Sequence, residues 1–313
     1  MKAVFLDRGS FPEHVTFNVP TSSLSITEYP HTSPEQVVER IKHADVILVN
    51  KTWLSAETLA QCTHLKMIQV TATGTNNVDL EYCKKNNILV QNVADYSANS
   101  VPEHTFSLLL NLKRNLDSYV RAVKQGAWSK STHFCFLDYP INDLAGSTML
   151  IVGNGNIGKN VARIAEAFGI HCLFAERKHT DTAREGRIAF AEGIKVADIV
   201  TLHCPLTAET KSMIGKQELQ DMKSTAVLLN VSRGGLVDEE ALVEAIKTQQ
   251  ILGAAMDVAT LEPMSSVNPL NALADYPNFL LTPHVAWASE QAMQTLANIA
   301  MGHIKDFLLT HSS

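Results

Sequence analysis

The amino-acid sequence predicts an α/β protein built on parallel sheets. Three observations predict it. Short apolar runs alternate with longer segments of helical period along the whole chain, and the runs fall into two successive series. The strand that opens the second series leads directly into a glycine-rich turn and a helix. A chain of 313 residues exceeds what one hydrophobic core usually supports, so two domains are expected.

In the first third, residues 3–6, 46–49, 67–70 and 88–90 read as buried strands, each followed by turn-forming or polar residues, which makes a small parallel sheet. Residues 100–115 then read as a long helix, with Ser100 as its cap and Pro102 and Glu103 in its first turn. The second series runs over 149–152, 172–175, 199–202, 227–230, 253–256 and 279–281, enough strands for a full dinucleotide-binding sheet. Across 290–309, Met293, Leu296, Ile299, Ala300, Ile304, Phe307 and Leu308 recur at helical spacing and predict an amphipathic helix.

Composition narrows the partners. With 45% hydrophobic and 19% charged residues the chain is an ordinary globular protein, and its net charge of −6 argues against nucleic acid or an anionic membrane, which a clustered positive field would draw. A small-molecule partner fits better. The apolar stretch after Met1 and Lys2 is too short for a signal peptide, and no apolar run reaches the ~18 residues of a membrane span, so a cytoplasmic location is expected. The five cysteines are odd in number and form no C-x-x-C pair, which predicts reduced thiols and no metal site.

The strand at 149–152 runs into Gly153-Asn154-Gly155-Asn156-Ile157-Gly158, and a helical pattern follows. Gly153 permits the tight turn, Gly155 lets backbone approach a pyrophosphate, Gly158 lets helix and strand pack closely, and the helix start at Asn156 and Ile157 offers free N–H groups to the anion. Glu176 stands just past the next strand, near the spacing of about twenty residues expected of the acid that accepts ribose hydroxyls. NAD is therefore the expected cofactor. Arg177 and Lys178 follow immediately and would pair with a 2′-phosphate if Glu176 turned away, which keeps NADP open.

Ligands of open parallel sheets gather beyond the carboxyl ends of the strands. Three reactive side chains lie there: Arg233 after 227–230, Glu262 after 253–256 and His284 after 279–281. Reducing a 2-oxo acid requires a proton donor for the carbonyl oxygen, a role that suits the His284 imidazole, with Glu262 to hold the ring. Arg233 would bind the substrate carboxylate and polarise the carbonyl, because a planar guanidinium matches paired oxygens. Each of the three has a blander reading alone, as a loop histidine or a surface charge. Their joint placement favours chemistry.

Over nearly its whole length the chain resembles the D-isomer-specific 2-hydroxyacid dehydrogenase family. The resemblance rests on Thr73-Gly74-Thr75-Asn76-Asn77-Val78-Asp79, the glycine motif, Leu202-His203-Cys204-Pro205-Leu206-Thr207, the stretch from Asn230 through Arg233 to Asp238, and Thr282-Pro283-His284. It implies that Arg233, Glu262 and His284 are the catalytic arginine, glutamate and histidine. It also places Thr73 and Gly74 on a loop whose backbone meets the substrate carboxylate. Further implied are cofactor-lining roles for His203, Pro205, Thr210, Val231, Ser232 and His284, and a hold by Asp257 on the nicotinamide amide.

The family implies a Rossmann-type NAD-binding domain over 100–288 and a smaller flavodoxin-like substrate domain made of 1–99 and 289–313. The active site would lie in the cleft between the domains of a homodimer. Around Asn50 and Lys51, from Asn92 to Ser97, from Phe134 to Phe136 and around Trp287, the chain is most similar to the glycerate dehydrogenase, or hydroxypyruvate reductase, branch. Trp287, with Asn50 and Lys51, would shape a small pocket. Two departures stand out: Pro102 and Glu103 where relatives often carry smaller or amide residues, and Glu176 in place of the commoner aspartate. The alternatives are a dehydrogenase for another 2-oxo acid, of glyoxylate or lactate type, and a dinucleotide-sensing regulator resembling a corepressor.

Overall fold

Every strand pairing in the computed structural model, which describes residues 1–19, 23–180 and 182–311, is parallel. The chain divides into two units, one of Met1–Ser97 with Ala288–Ser313 and one of Ala98–Trp287.

The first unit holds β1 (Lys2–Phe5), β2 (Ser25–Glu28), β3 (Val46–Val49), β4 (Met67–Val70) and β5 (Leu89–Gln91), in the order β2-β1-β3-β4-β5. All four residues of β3 and of β4 are buried, as expected when both sheet faces are covered, and only Gln69 interrupts the apolar run. β2 escapes sequence patterning for the opposite reason: its Ser-Ile-Thr-Glu stretch lies at the sheet edge, mostly exposed, and shows no apolar periodicity. The C-terminal helix Glu290–His311 returns to this unit, where His303 Nδ1 lies 3.1 Å from Gln69 Oε1 on β4.

The second unit carries β6 (Thr148–Val152), β7 (His171–Phe174), β8 (Ile199–Leu202), β9 (Val227–Asn230), β10 (Gly253–Met256) and β11 (Phe279–Leu281), in the order β11-β10-β9-β8-β6-β7. A single bridge between Ala175 and Ile188 extends the β7 edge. Strand order reverses between β6 and β8, which puts the crevice for a ligand beyond their carboxyl ends. Alternate residues feed two apolar layers: Leu150 and Val152 belong to one with Leu202, Leu228 and Met256, while Met149 and Ile151 belong to the other with Val227 and Leu229.

Helix Ser100–Arg114 packs on the second layer through Phe106, Leu109 and Leu112. Its cap differs from expectation. The cap position is Asn99, and the Ser100 hydroxyl instead donates to the Ala286 carbonyl at 2.6 Å, because it is buried against that loop. Asn115, at φ 50°, ends this helix and turns the chain into a separate one, Leu116–Lys124. All five cysteines are free thiols. Among the described residues no helix is long and apolar enough to cross a membrane, and no group of three or more His, Cys, Asp or Glu side chains is placed to hold a metal.

Candidate active site

The glycine turn after β6 is shaped by close backbone approach. Gly153 sits at φ +116°, and a Cβ there would run into the His203 carbonyl, while a Cβ on Gly158 would strike the Gly153 carbonyl. Only glycine serves at either position. At Gly155 a Cβ would meet nothing within 4 Å, so the turn faces open space there. Helix Asn156–Ala167 begins at this point with no side-chain cap, which leaves the first N–H groups, including those of Asn156 and Ile157, to a ligand or water. A cradle that a Cβ would fill, opening onto uncapped N–H groups, fits a dinucleotide pyrophosphate.

Under the turn, the His203 N–H donates to Val152 at 2.7 Å and the ring Nε2 lies 2.8 Å from Thr201 Oγ1. Part of the residue reaches the surface, yet its Nδ1 is buried with no partner among the described residues, and burial pushes the imidazole down to about 3. The ring is neutral and internal. The Thr210 hydroxyl donates to the Pro205 carbonyl at 2.7 Å, and the Ser232 hydroxyl to the Cys204 carbonyl at 2.7 Å, so the segments after β8 and β9 are stitched together. Val231 is buried in the second apolar layer.

Glu176 is nearly fully buried and its carboxylate is already loaded. Oε2 accepts from Arg184 Nε at 2.7 Å and from the Arg184 N–H at 3.2 Å; Oε1 accepts from Arg184 Nη2 at 2.5 Å and from the Arg177 N–H at 2.8 Å. The Arg184 guanidinium, first among these, holds the carboxyl far below the usual range. Arg187 Nη1 stands 3.9 Å away. Lys178 is committed to Glu218 at 2.8 Å and to the Met213 carbonyl at 2.9 Å, whereas Arg177 is exposed.

His284 and Glu262 are brought together: Nδ1 of the ring lies 2.7 Å from Oε2 of the carboxylate, whose Oε1 accepts the Ala259 N–H at 3.1 Å. Glu262 precedes a cis proline, Pro263, in a loop that Glu239 braces by accepting from the Thr260 N–H at 2.6 Å and Asn268 Nδ2 at 2.9 Å. His284 itself has φ 55°, and its loop is held by Asp257. That fully buried carboxylate accepts from the Thr282 hydroxyl at 2.5 Å, the Val285 N–H at 3.0 Å and the Ala286 N–H at 2.8 Å, with His104 Nε2 3.5 Å away. Trp287 Nε1 donates back to the His284 carbonyl at 2.9 Å.

Arg233 is anchored from the backbone side. Asn230 at the end of β9 donates to the Arg233 carbonyl at 2.9 Å and accepts the Ser232 N–H at 3.1 Å. Gly234 next to it packs so tightly on Ala259 that a Cβ would strike that carbonyl. The arginine loop and the glutamate loop are therefore in backbone contact. The guanidinium is half-buried, with Nη1 donating to the Ser232 carbonyl at 2.7 Å.

In the first unit, Asn50 and Lys51 lie just past β3, where the buried Asp7 carboxylate accepts the N–H groups of Asn50, Lys51 and Thr52 at 2.7, 2.7 and 2.9 Å. Thr73 and Gly74 follow β4; the Thr73 hydroxyl donates to the Val93 carbonyl at 3.0 Å, and Asn92 Nδ2 donates to the Thr73 carbonyl at 2.6 Å. Sequence reasoning missed Asp7, His104, Arg184 and Glu239. Asp7 alone carried a legible signal, an acid directly after an apolar strand at the order-reversal point of its sheet. His104 and Glu239 act through partners distant in sequence, and Arg184 through an irregular loop that folds back on Glu176.

Residues 106–286 match the family described as D-isomer specific 2-hydroxyacid dehydrogenase, NAD binding domain. A Haemophilus influenzae protein named for the 2-hydroxyacid dehydrogenases is 46% identical over 98% of this chain and 98% of its own. Glycerate dehydrogenase of Methylorubrum extorquens is 44% identical over 98% of this chain and 96% of its own. Among solved structures, a D-lactate dehydrogenase from Aquifex aeolicus complexed with NAD and lactic acid superposes with a TM-score of 0.83, at 28% identity over 98% of this chain and 96% of that one.

Proposed function

The chain belongs to the D-isomer specific 2-hydroxyacid dehydrogenase family, an NAD(P)-dependent oxidoreductase by that membership, and on that premise we propose that it interconverts hydroxypyruvate and D-glycerate. The observation that carries the catalytic assignment is the 2.7 Å contact between His284 and Glu262. The substrate assignment draws support from the likeness to a glycerate dehydrogenase across almost the full length of both chains.

When bound at the glycine turn, a nicotinamide dinucleotide supplies the hydride for reduction or accepts it in oxidation. Gly153 to Gly158, with Asn156 and Ile157, hold its pyrophosphate; Glu176 and Arg177 flank its ribose; Pro205, Thr210, Val231 and Ser232 line the rest. His203 and Asp257 act as supports, the first beneath Gly153 and the second as the hold on residues 282–286. Arg233 binds the substrate carboxylate and draws electron density from the carbonyl. The His284 Nδ1–H donates to Glu262, which leaves Nε2 as the atom that gives a proton to the carbonyl oxygen in reduction and takes it back in oxidation. Asn50, Lys51, Thr73, Gly74 and Trp287 contact the substrate.

We place this enzyme in the cytoplasm as a homodimer. Leu116, Val120 and Val123 on one helix, with Trp128, Phe134 and Leu137 beyond it, are exposed apolar side chains, more than an isolated surface tends to leave uncovered. Light scattering is expected to give the dimer mass. A panel of 2-oxo acids assayed with NADH and NADPH tests the substrate: hydroxypyruvate is expected to be reduced best, with glyoxylate weaker, and preference for a branched 2-oxo acid would overturn the assignment.

A further inference from the structure

The acid that in a dinucleotide fold receives the ribose hydroxyls has no free lone pair in this chain. Glu176 accepts four hydrogen bonds, two of them from one edge of the Arg184 guanidinium and two from backbone N–H groups. A carboxylate offers about four acceptor sites, so the set is full. The opposite edge of Arg184 has no partner among the described residues, and its side chain is 58% exposed.

Charge points the same way. A bare carboxylate at this position excludes a 2′-phosphate by like-charge repulsion. In this chain Arg184 and Arg187 neutralise Glu176, and the exposed Arg177 follows it directly, its N–H donating to Glu176 Oε1. Glu176 is thereby matched by two arginines and no longer stands as a bare negative charge. Both edges of a guanidinium can pair with oxygens at once, so Arg184 can keep Glu176 and still present N–H groups to a further anion.

We propose that Arg184 is a specificity-determining residue for the cofactor: by capping Glu176 and turning its other edge outward, it lets the ribose site take NADPH as well as NADH. The proposal rests on the dinucleotide site assigned above. Removing Arg184 exposes the Glu176 carboxylate and makes the site selective for NADH. Removing the Glu176 charge leaves the guanidinium uncompensated and shifts the site toward NADPH.

Equilibrium binding, read as the change in nicotinamide fluorescence on titrating protein into NADH or NADPH, tests this without turnover. Wild-type protein is expected to bind both, with dissociation constants within about tenfold of each other. Arg184→Met is expected to weaken NADPH relative to NADH by about tenfold or more, the scale of a lost charge-assisted bond to phosphate. Glu176→Gln is expected to move the ratio in the other direction, which keeps the test open should one variant fold poorly. Wild-type protein that binds NADH but not NADPH would overturn the proposal, as would an unchanged ratio in both variants or equal loss of both cofactors in Arg184→Met. Failure of wild-type protein to bind either dinucleotide would instead overturn the assignment of the site itself.

Discussion

His203 carries a cost that pH can reveal. Burial pushes its imidazole down to about 3, while in the unfolded chain it protonates at about 6.5. Below 6.5 the unfolded chain therefore binds a proton that the folded chain refuses, and stability falls with pH; above 6.5 the effect vanishes. Between pH 7 and pH 5 the loss comes to about 2 kcal/mol, and any folded value below about 4 gives nearly the same figure. For a unit of this size that is a drop in melting temperature of about 4–8 °C. Other groups titrate in this range, so the comparison is with His203→Gln, which keeps a polar group for Thr201 but takes up no proton. Calorimetric melts at pH 7, 6 and 5 are expected to show a flatter pH dependence in the variant by about that amount. Parallel curves would refute the reasoning.

Gly153→Ala is expected to destabilise the second unit by about 1–3 kcal/mol and to weaken NADH binding, because alanine is strained at φ +116° and its methyl meets the His203 carbonyl; thermal melts and titration with NADH check both. Asp257→Ala strips the Val285 and Ala286 N–H groups of their acceptor, at about 1–3 kcal/mol for each buried donor left unpaired. Lower melting temperature and lower turnover are expected together, and a variant as stable as wild type would show that the loop 282–286 does not depend on this carboxylate.

Much of the architecture was legible because parallel strands covered on both faces are buried along their whole length and so mostly apolar: β3 is wholly apolar, and β4, β8 and β9 carry one polar residue each. The glycine turn was legible because steric demand singles out the residue type: Gly153 and Gly158 have no room for a side chain. The strand β2 was not, since an exposed edge imposes no pattern. Nor was the further helix Leu116–Lys124, which starts directly where Asn115 at positive φ ends the helix read over 100–115. At the candidate site, His284 and Glu262 could be paired from their positions after adjacent strands. The Arg184 cap on Glu176 could not, because it depends on how an irregular loop folds back on a strand end. Asp257 was expected at the cofactor; that its carboxylate also holds the loop 282–286 is disclosed only by the positions of the Val285 and Ala286 N–H groups.

The most direct test of the account separates proton transfer from cofactor binding at one residue. With His284→Ala, reduction of hydroxypyruvate is expected to slow by about 10²–10⁴, the range for loss of a general acid, while the dissociation constant for NADH stays within about threefold of wild type. Turnover that persists near the wild-type rate, or NADH binding lost in step with it, would contradict His284 as the proton donor.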